Sequence, residues 1–280
     1  MSSAASSRAL PTGSGRPRAG RSPLTRLLDS KLFLRLTTLA IVAAIWQWYA
    51  VAVGGLLIPT FDGTVVAFFG LLADPEFWEA VWVSNQAMLL GFGITIVAGI
   101  PLGLIMGRYR AAEAFTDFYI NILLVTPMAA IIPLIIMAIG FGLEARVLLV
   151  VLFALPMVIV NCRAGVRQVD PTLIEMSQSF GATERKIWWR ILLPGSMPAV
   201  MTGIRIGLSR SLTAMVVIEL LLVAVGLGGL IINYRGSFNA EALYAVVVFV
   251  ILEALFLIQI ARWLERRLVP WTSEGLLSSK

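Results

Sequence analysis

The chain has 280 residues, of which 59% are hydrophobic and 14% charged, with a net charge of +6. A soluble domain of this length needs far more polar surface, so the composition excludes one and points to a polytopic helical membrane protein. Histidine is absent and Cys162 is the single cysteine, which removes disulfides, His-ligated metal sites and His-based catalytic triads.

Residues 1–30 are rich in Ser, Pro, Gly and Arg and predict a disordered, basic cytoplasmic tail. The apolar run that follows, 36–57, exceeds the roughly 7–15 residue core of a signal peptide and predicts a retained span. Further runs of about 20 residues occupy 83–106, 118–139, 146–164, 198–223 and 242–262. They are continuous rather than alternating, which favours helices over a barrel. The expectation is an all-α polytopic membrane protein with six transmembrane helices, its membrane domain covering 31–280. Between the first two spans, FDGTVVAFFGLLADPEFWEAVW carries acids and aromatics but no Lys or Arg. The segment 59–82 reads as a loop with an interfacial amphipathic helix.

Positive charge orients the spans. Arg8, Arg16, Arg18, Arg21, Arg26, Lys31 and Arg35 precede the first, and Arg108 and Arg110 follow the second. Arg163, Arg167, Arg185, Lys186 and Arg190 lie between the fourth and fifth, and Arg262, Arg266 and Arg267 close the sixth. The opposite loops hold only Arg146 and Arg235. Both termini are therefore expected in the cytoplasm, with Asp74 and Gly236 outside. The net positive charge is thus placed for topology, and nucleic acid is not an expected partner.

The largest cytoplasmic loop, 170–194, is unusually polar. Asp170-Pro171 predicts an N-cap followed by proline in the first helical turn. Leu173, Met176 and Phe180 share a helix face. Gly181 suits the left-handed residue that ends a helix, Thr183 can cap a second short helix, and Pro194 is expected to end it. Two readings fit this knob. One is an interfacial hairpin with Trp188 and Trp189 at headgroup level; the other is a helix that docks into a groove on a cytoplasmic partner.

The spacing adds to the second. Glu175, Gly181 six residues on, Ile191 ten after that, then Leu193 and Pro194, resemble the loop motif of permease subunits in binding-protein-dependent ABC importers. That motif runs Glu-Ala-Ala, three residues, Gly, nine residues, Ile, one residue, Leu-Pro; Met176 and Ser177 replace its alanines. GIPLGLIMGRYR, TPMAAIIPLIIMAIGFG, GVRQVDPTLIEMSQSFGA, LPGSMPAVMTGIRIGLSR and LERRLVPW look like the nitrate, sulfonate, taurine and bicarbonate branch. The resemblance implies a type I importer permease fold in the bacterial cytoplasmic membrane. It also implies a second permease copy in a homodimer or heterodimer, two ATPase subunits carrying ATP and Mg, and an external substrate-binding protein. It assigns ATPase coupling to Glu175, Ser177, Phe180, Gly181, Ala182, Thr183, Ile191, Leu193 and Pro194. No G-x-x-x-x-G-K-[ST] phosphate loop occurs, so ATP hydrolysis is expected of the partner and no cofactor of this chain. The alternative, an ion-coupled secondary transporter or channel, predicts paired broken spans in two related halves, and no internal repeat is visible.

Within the spans, Gly91, Thr95, Gly99, Gly103 and Gly107 form a small-residue stripe for close helix packing. Pro127 and Pro133 in span three, and Pro156 in span four, are expected to kink their helices, with span three lining the pathway. Arg205, Arg210, Glu219 and Glu253 are ionisable groups at membrane depth and face inward by default. Arg205 and Glu219 are pathway candidates, although internal pairing or snorkelling also fits Arg205. Arg210 and Glu253 each lie about 12 residues, or ~18 Å, from the cytoplasmic face, which predicts a structural pair between spans five and six. The same count gives Arg205 and Glu219 no charged partner on span six.

Overall fold

Long apolar runs can satisfy their backbone in lipid only as helices, and helices are what the chain forms. The computed structural model describes residues 31–53, 58–221 and 224–270; the expected tail, 1–30, lies outside them. The chain divides into two units, 1–53 and 54–280. In the first, α1 (Lys31–Val53) is predominantly apolar after Arg35, with Leu39 and Trp48 largely exposed, as suits a helix that faces lipid.

The second unit begins with α2 (Phe61–Leu72), whose first turn is capped by Thr60 Oγ1 accepting from the Gly63 amide. Asp74 then caps α3 (Pro75–Arg108), accepting from Glu76 N at 2.9 Å with Pro75 at the first helical position. The segment 59–82 thus holds a helix, α2, as expected, but its last third, from Pro75, is already the start of the second span, which sets in well before residue 83. At 34 residues α3 is ~51 Å long, more than the ~30 Å apolar layer, so its ends extend into the polar margins.

The remaining helices are α4 (Arg110–Val125), α5 (Met128–Ile139), α6 (Leu143–Arg167), α7 (Pro171–Ser179), α8 (Glu184–Ile187), α9 (Leu193–Leu221), α10 (Gly226–Gly236) and α11 (Ala240–Leu268). Among the described residues, four helices are long and apolar enough to cross a membrane: 33–53, 75–108, 143–167 and 240–268. Two bent pairs, α4 with α5 and 184–221 with α10, raise the number to as many as six if each pair is one span.

The expected kink in span three is instead a break of 101° between α4 and α5. Pro127 has no N–H for the helix ladder, and its ring disfavours the α region for the residue before it. Thr126 accordingly sits at φ −65°, ψ 128°. Pro133 and Pro156 do not interrupt α5 or α6.

The centre of this unit is α6, flanked by α3 and α9. The glycine stripe of α3 packs directly on it. A Cβ on Gly91 would lie 2.6 Å from Val150 Cγ1, one on Gly103 2.6 Å from the Ile159 carbonyl oxygen, and one on Gly107 2.6 Å from Val166 Cβ. The contacts advance together along both chains, so α3 and α6 run parallel. On its other side α6 meets α9 running the opposite way, with Gly165 against Ser196 and Ala199, and Gly207 against Val158. With lipid as apolar as any side chain, close backbone approach and dense dispersion contact hold such helices together.

Candidate functional site

The loop 170–194 joins α6 to α9 at the end of the bundle where α3 and α6 terminate in Arg108 and Arg167. Asp170 caps α7 by accepting from the Thr172 amide at 2.8 Å; that backbone hydrogen bond holds its carboxyl below the usual carboxylate range. The helix closes in a Schellman motif. Gly181 is at φ +72°, its amide donates to the Gln178 carbonyl, and the Ala182 amide donates to the Ser177 carbonyl at 3.0 Å. Thr183 takes the N-cap position of α8 with its carbonyl alone, accepting from Lys186 and Ile187, and its side chain makes no capping bond.

Pro194 does not end the second helix. Residues Trp188–Leu192 form a π-turn and the chain continues through Pro194 and Pro198 into α9. A π-turn widens the helix by one residue, which accommodates the missing donor of Pro194 and the bulk of its ring. The knob is thus the rigid start of the fifth span rather than a separate hairpin.

The motif residues divide by direction. Ile191, Leu193 and Ala182 pack inward, with Ile174 and Trp188, on a core of Val166, Val169, Ile187 and Leu192. Glu175, Phe180, Gly181 and Thr183 face outward. Leu173 and Met176 are about half exposed and Phe180 is 83% exposed. Leu173 and Met176 also edge a cavity of about 690 Å³ that runs beneath α7 to Ile191 and Pro194. Ser177 Oγ turns back to donate to the Leu173 carbonyl.

Two contacts that sequence reasoning missed fasten the knob to the bundle. Arg108, at the end of α3, grips Glu184 with both prongs of its guanidinium, Nε–Oε1 2.8 Å and Nη2–Oε2 3.1 Å. Trp188 Nε1 donates to Tyr109 Oη at 3.3 Å, and the rings lie 6.3 Å apart. The sequence signal for Arg108 was only its sign. A second clasp joins the start of α4 to the end of α6: Arg163 pairs with Asp117 and, at 3.4 Å, with Glu113, and Arg167 pairs with Glu113.

The intramembrane charges differ from expectation. Arg210 and Glu253 do not pair. Glu253 turns to α3, where Asn85 Nδ2 donates to it, while Arg210 is exposed and borders a cavity with Ile258 and Arg262, with no ion pair among the described residues. Equal depth does not fix the azimuth of a side chain around its helix, and Asn85 supplied the neighbour that a count of charges ignored. Arg205 has a partner after all, Glu265 on α11 at 2.7 Å, because both long side chains reach along their helices.

Glu219 is 1% exposed and lines no pathway. Its Oε2 accepts from Ser84 Oγ at 2.8 Å and from the Gly228 amide at 3.0 Å, and Ser84 Oγ accepts from the Leu227 amide. Arg146 stands 3.8 Å from the other oxygen. Glu219 and Ser84 thereby satisfy the free amides at the start of α10, a structural role. Pro133 is exposed on α5, whereas Pro127 lines a cavity of about 370 Å³ at the α4–α5 break with Thr126, Pro156 and Arg210.

A comparison with protein families matches residues 99–270 to the inner membrane component of binding-protein-dependent transport systems. The chain belongs to this family. It is 30% identical over 264 residues to the taurine transport system permease protein TauC of Escherichia coli, covering 91% of this chain and 94% of that one. It is 25% identical over 265 residues to the nitrate import permease protein NrtB of Synechocystis, covering 91% and 96%. Among solved structures, the inward-facing MetNI methionine ABC transporter shares the fold, with a TM-score of 0.56 at 23% identity over 69% of this chain and 94% of that chain. The all-α permease fold of this membrane transport component follows, with four to six candidate spans among the described residues. The motif in 170–194 falls wholly inside the matched region.

Proposed function

We propose that this chain is the permease through which an ABC importer carries a small oxyanionic solute, driven by ATP hydrolysed on separate subunits. The single observation that carries the coupling is the outward face of α7: Leu173, Met176 and Phe180 are exposed while their neighbours Ile174 and Ala182 pack inward. An apolar patch on a rigidly held helix is suited to a groove on a partner. In this reading Gly181 aims the patch and Glu175 presents its carboxylate at the rim. The Arg108–Glu184 and Tyr109–Trp188 contacts carry the partner's movement to α3 and α4.

ATP and Mg²⁺ belong to two ATPase subunits, and a second permease copy and an external substrate-binding protein complete the assembly. The solute class rests on the relatives named for taurine, which bears a sulfonate, and for nitrate. The Arg-rich end faces the cytoplasm of a bacterial cell, both termini with it, because Lys and Arg are retained on that side. The test is co-purification of the tagged chain from its own cells in mild detergent. A stoichiometric protein with a G-x-x-x-x-G-K-[ST] loop and ATP-dependent uptake in reconstituted vesicles are expected. Uptake driven by an ion gradient without that protein would refute the reading.

A further inference from the structure

Arg210 lies where two cavities meet. One, of about 370 Å³, opens at the α4–α5 break beside Thr126 and Pro127. The other, of about 380 Å³, is lined by Arg205, Ser209, Arg210, Thr213, Ile258 and Arg262 between α9 and α11. No Asp or Glu lines either cavity. Of the three guanidinium groups on the second cavity, only Arg205 is neutralised, by Glu265. Arg210 and Arg262 have no carboxylate partner among the described residues, although the same helices supply one to Arg205. Two positive charges bordering one small cavity repel each other. A bound anion relieves that cost.

We propose that Arg210 and Arg262 form an oxyanion-binding step on α9 and α11, shared between the two cavities and taken by a sulfonate- or nitrate-type solute in transit. This rests on the importer reading above and assigns the solute a place within the chain. The planar fork of Arg210 matches two oxygens of one such anion, and the Ser209 and Thr213 hydroxyls border the same space. Arg205 is outside the step, because Glu265 already occupies it. An anion entering past Thr126 and Pro127 meets Arg210 first and Arg262 second. The residue count agrees, since α11 carries Arg262 close to its Arg-rich end and α9 carries Arg210 deeper in the layer.

The chemistry is shared by the phosphate of an anionic lipid, so the test separates the two sources. The complete transporter, purified with its ATPase, is placed in nanodiscs of phosphatidylcholine alone. Its thermal midpoint is followed against methanesulfonate and nitrate, with chloride holding ionic strength constant. The wild type should show a saturable upward shift. Arg210→Met should weaken the apparent affinity roughly tenfold or more. Arg210→Lys, which keeps the charge and loses the fork, should fall between, and it serves if Arg210→Met does not fold. Arg262→Gln should weaken binding, and Arg205→Gln should leave the affinity unchanged. Repeating the titration with phosphatidylglycerol in the disc should leave the shift intact. Equal affinities in wild type and Arg210→Met, or loss of the shift on adding phosphatidylglycerol, would overturn the proposal. Failure of the ATPase to co-purify would instead defeat the importer reading, so the two failures are distinct.

Discussion

The seam between α3 and α6 and the knob formed by α7 and α8 are held in opposite ways. The seam is made of absences: Gly91, Gly99, Gly103 and Gly107 remove side chains so that backbone meets backbone, and Thr95 among them is fully buried. The knob keeps its side chains. It turns Ile174, Ala182 and Ile187 inward, is pinned by Arg108 and Trp188, and leaves Phe180 in the open. A region with no room to adjust supplies rigidity. A region with a few directed contacts and an exposed apolar face supplies a surface that a partner can push.

That contrast predicts different failures. The largest effect belongs to the seam. Gly103→Val places a Cβ 2.6 Å from the Ile159 carbonyl oxygen and 2.7 Å from Cys162 Cβ, and neither can move aside. It should cost about 3 kcal/mol or more, read as lost folded yield in detergent. Gly93→Ala, in the same helix but with nothing near its added Cβ, should be neutral or slightly stabilising. Equal yields for the two would mean that the seam is not tight.

Gly181→Val should act on the knob alone. A β-branched residue at φ +72° costs roughly 1–2 kcal/mol, enough to swing α8 away from its anchor without unfolding the spans. Folded yield and thermal midpoint should stay near wild type while ATP-dependent transport is lost. Normal transport would show that the left-handed turn does not aim the coupling surface.

The smallest effect is at the Asp170 cap. Its carboxyl is held low by the Thr172 amide, so the native state favours the ionised form. A depressed folded value adds stability that is present above the unfolded value, about 3.9, and fades as pH falls through the folded one. Asp170→Asn caps equally well but does not titrate. Hydrogen exchange of the α7 amides should therefore separate wild type from this variant above the unfolded carboxylate value and bring them together as pH falls below the folded one. A gap that is constant across the range would remove the charge from the account.

Much of this was legible in the sequence. The glycine stripe announced its packing through its spacing, and Asp170-Pro171 and Gly181 announced helix ends through backbone chemistry that needs no distant partner. Misreadings arose where the deciding contact was remote or depended on rotation. Pro127 was expected to bend a helix that it ends, because the restriction it places on Thr126 adds to its missing donor. Pro194 was expected to end a helix that a π-turn carries past it. Arg210 and Glu253 were matched by depth, yet α9 turns Arg210 one way and Asn85 draws Glu253 another. Glu219 looked like a pathway charge and is a cap for α10, which no count along α9 reveals. The same remoteness hid Arg108–Glu184, two residues separated by four helices.

The central claim is that the outward face of α7 is where the ATPase engages. The direct measurement is photocrosslinking in intact membranes with a benzoyl-phenylalanine in place of Phe180, which is 83% exposed and packs on nothing that the fold needs. The expected adduct joins this chain to the nucleotide-binding subunit and disappears when Gly181→Val is added. Adducts with lipid alone, or with the subunit at equal yield whether or not Gly181 is replaced, would contradict the account.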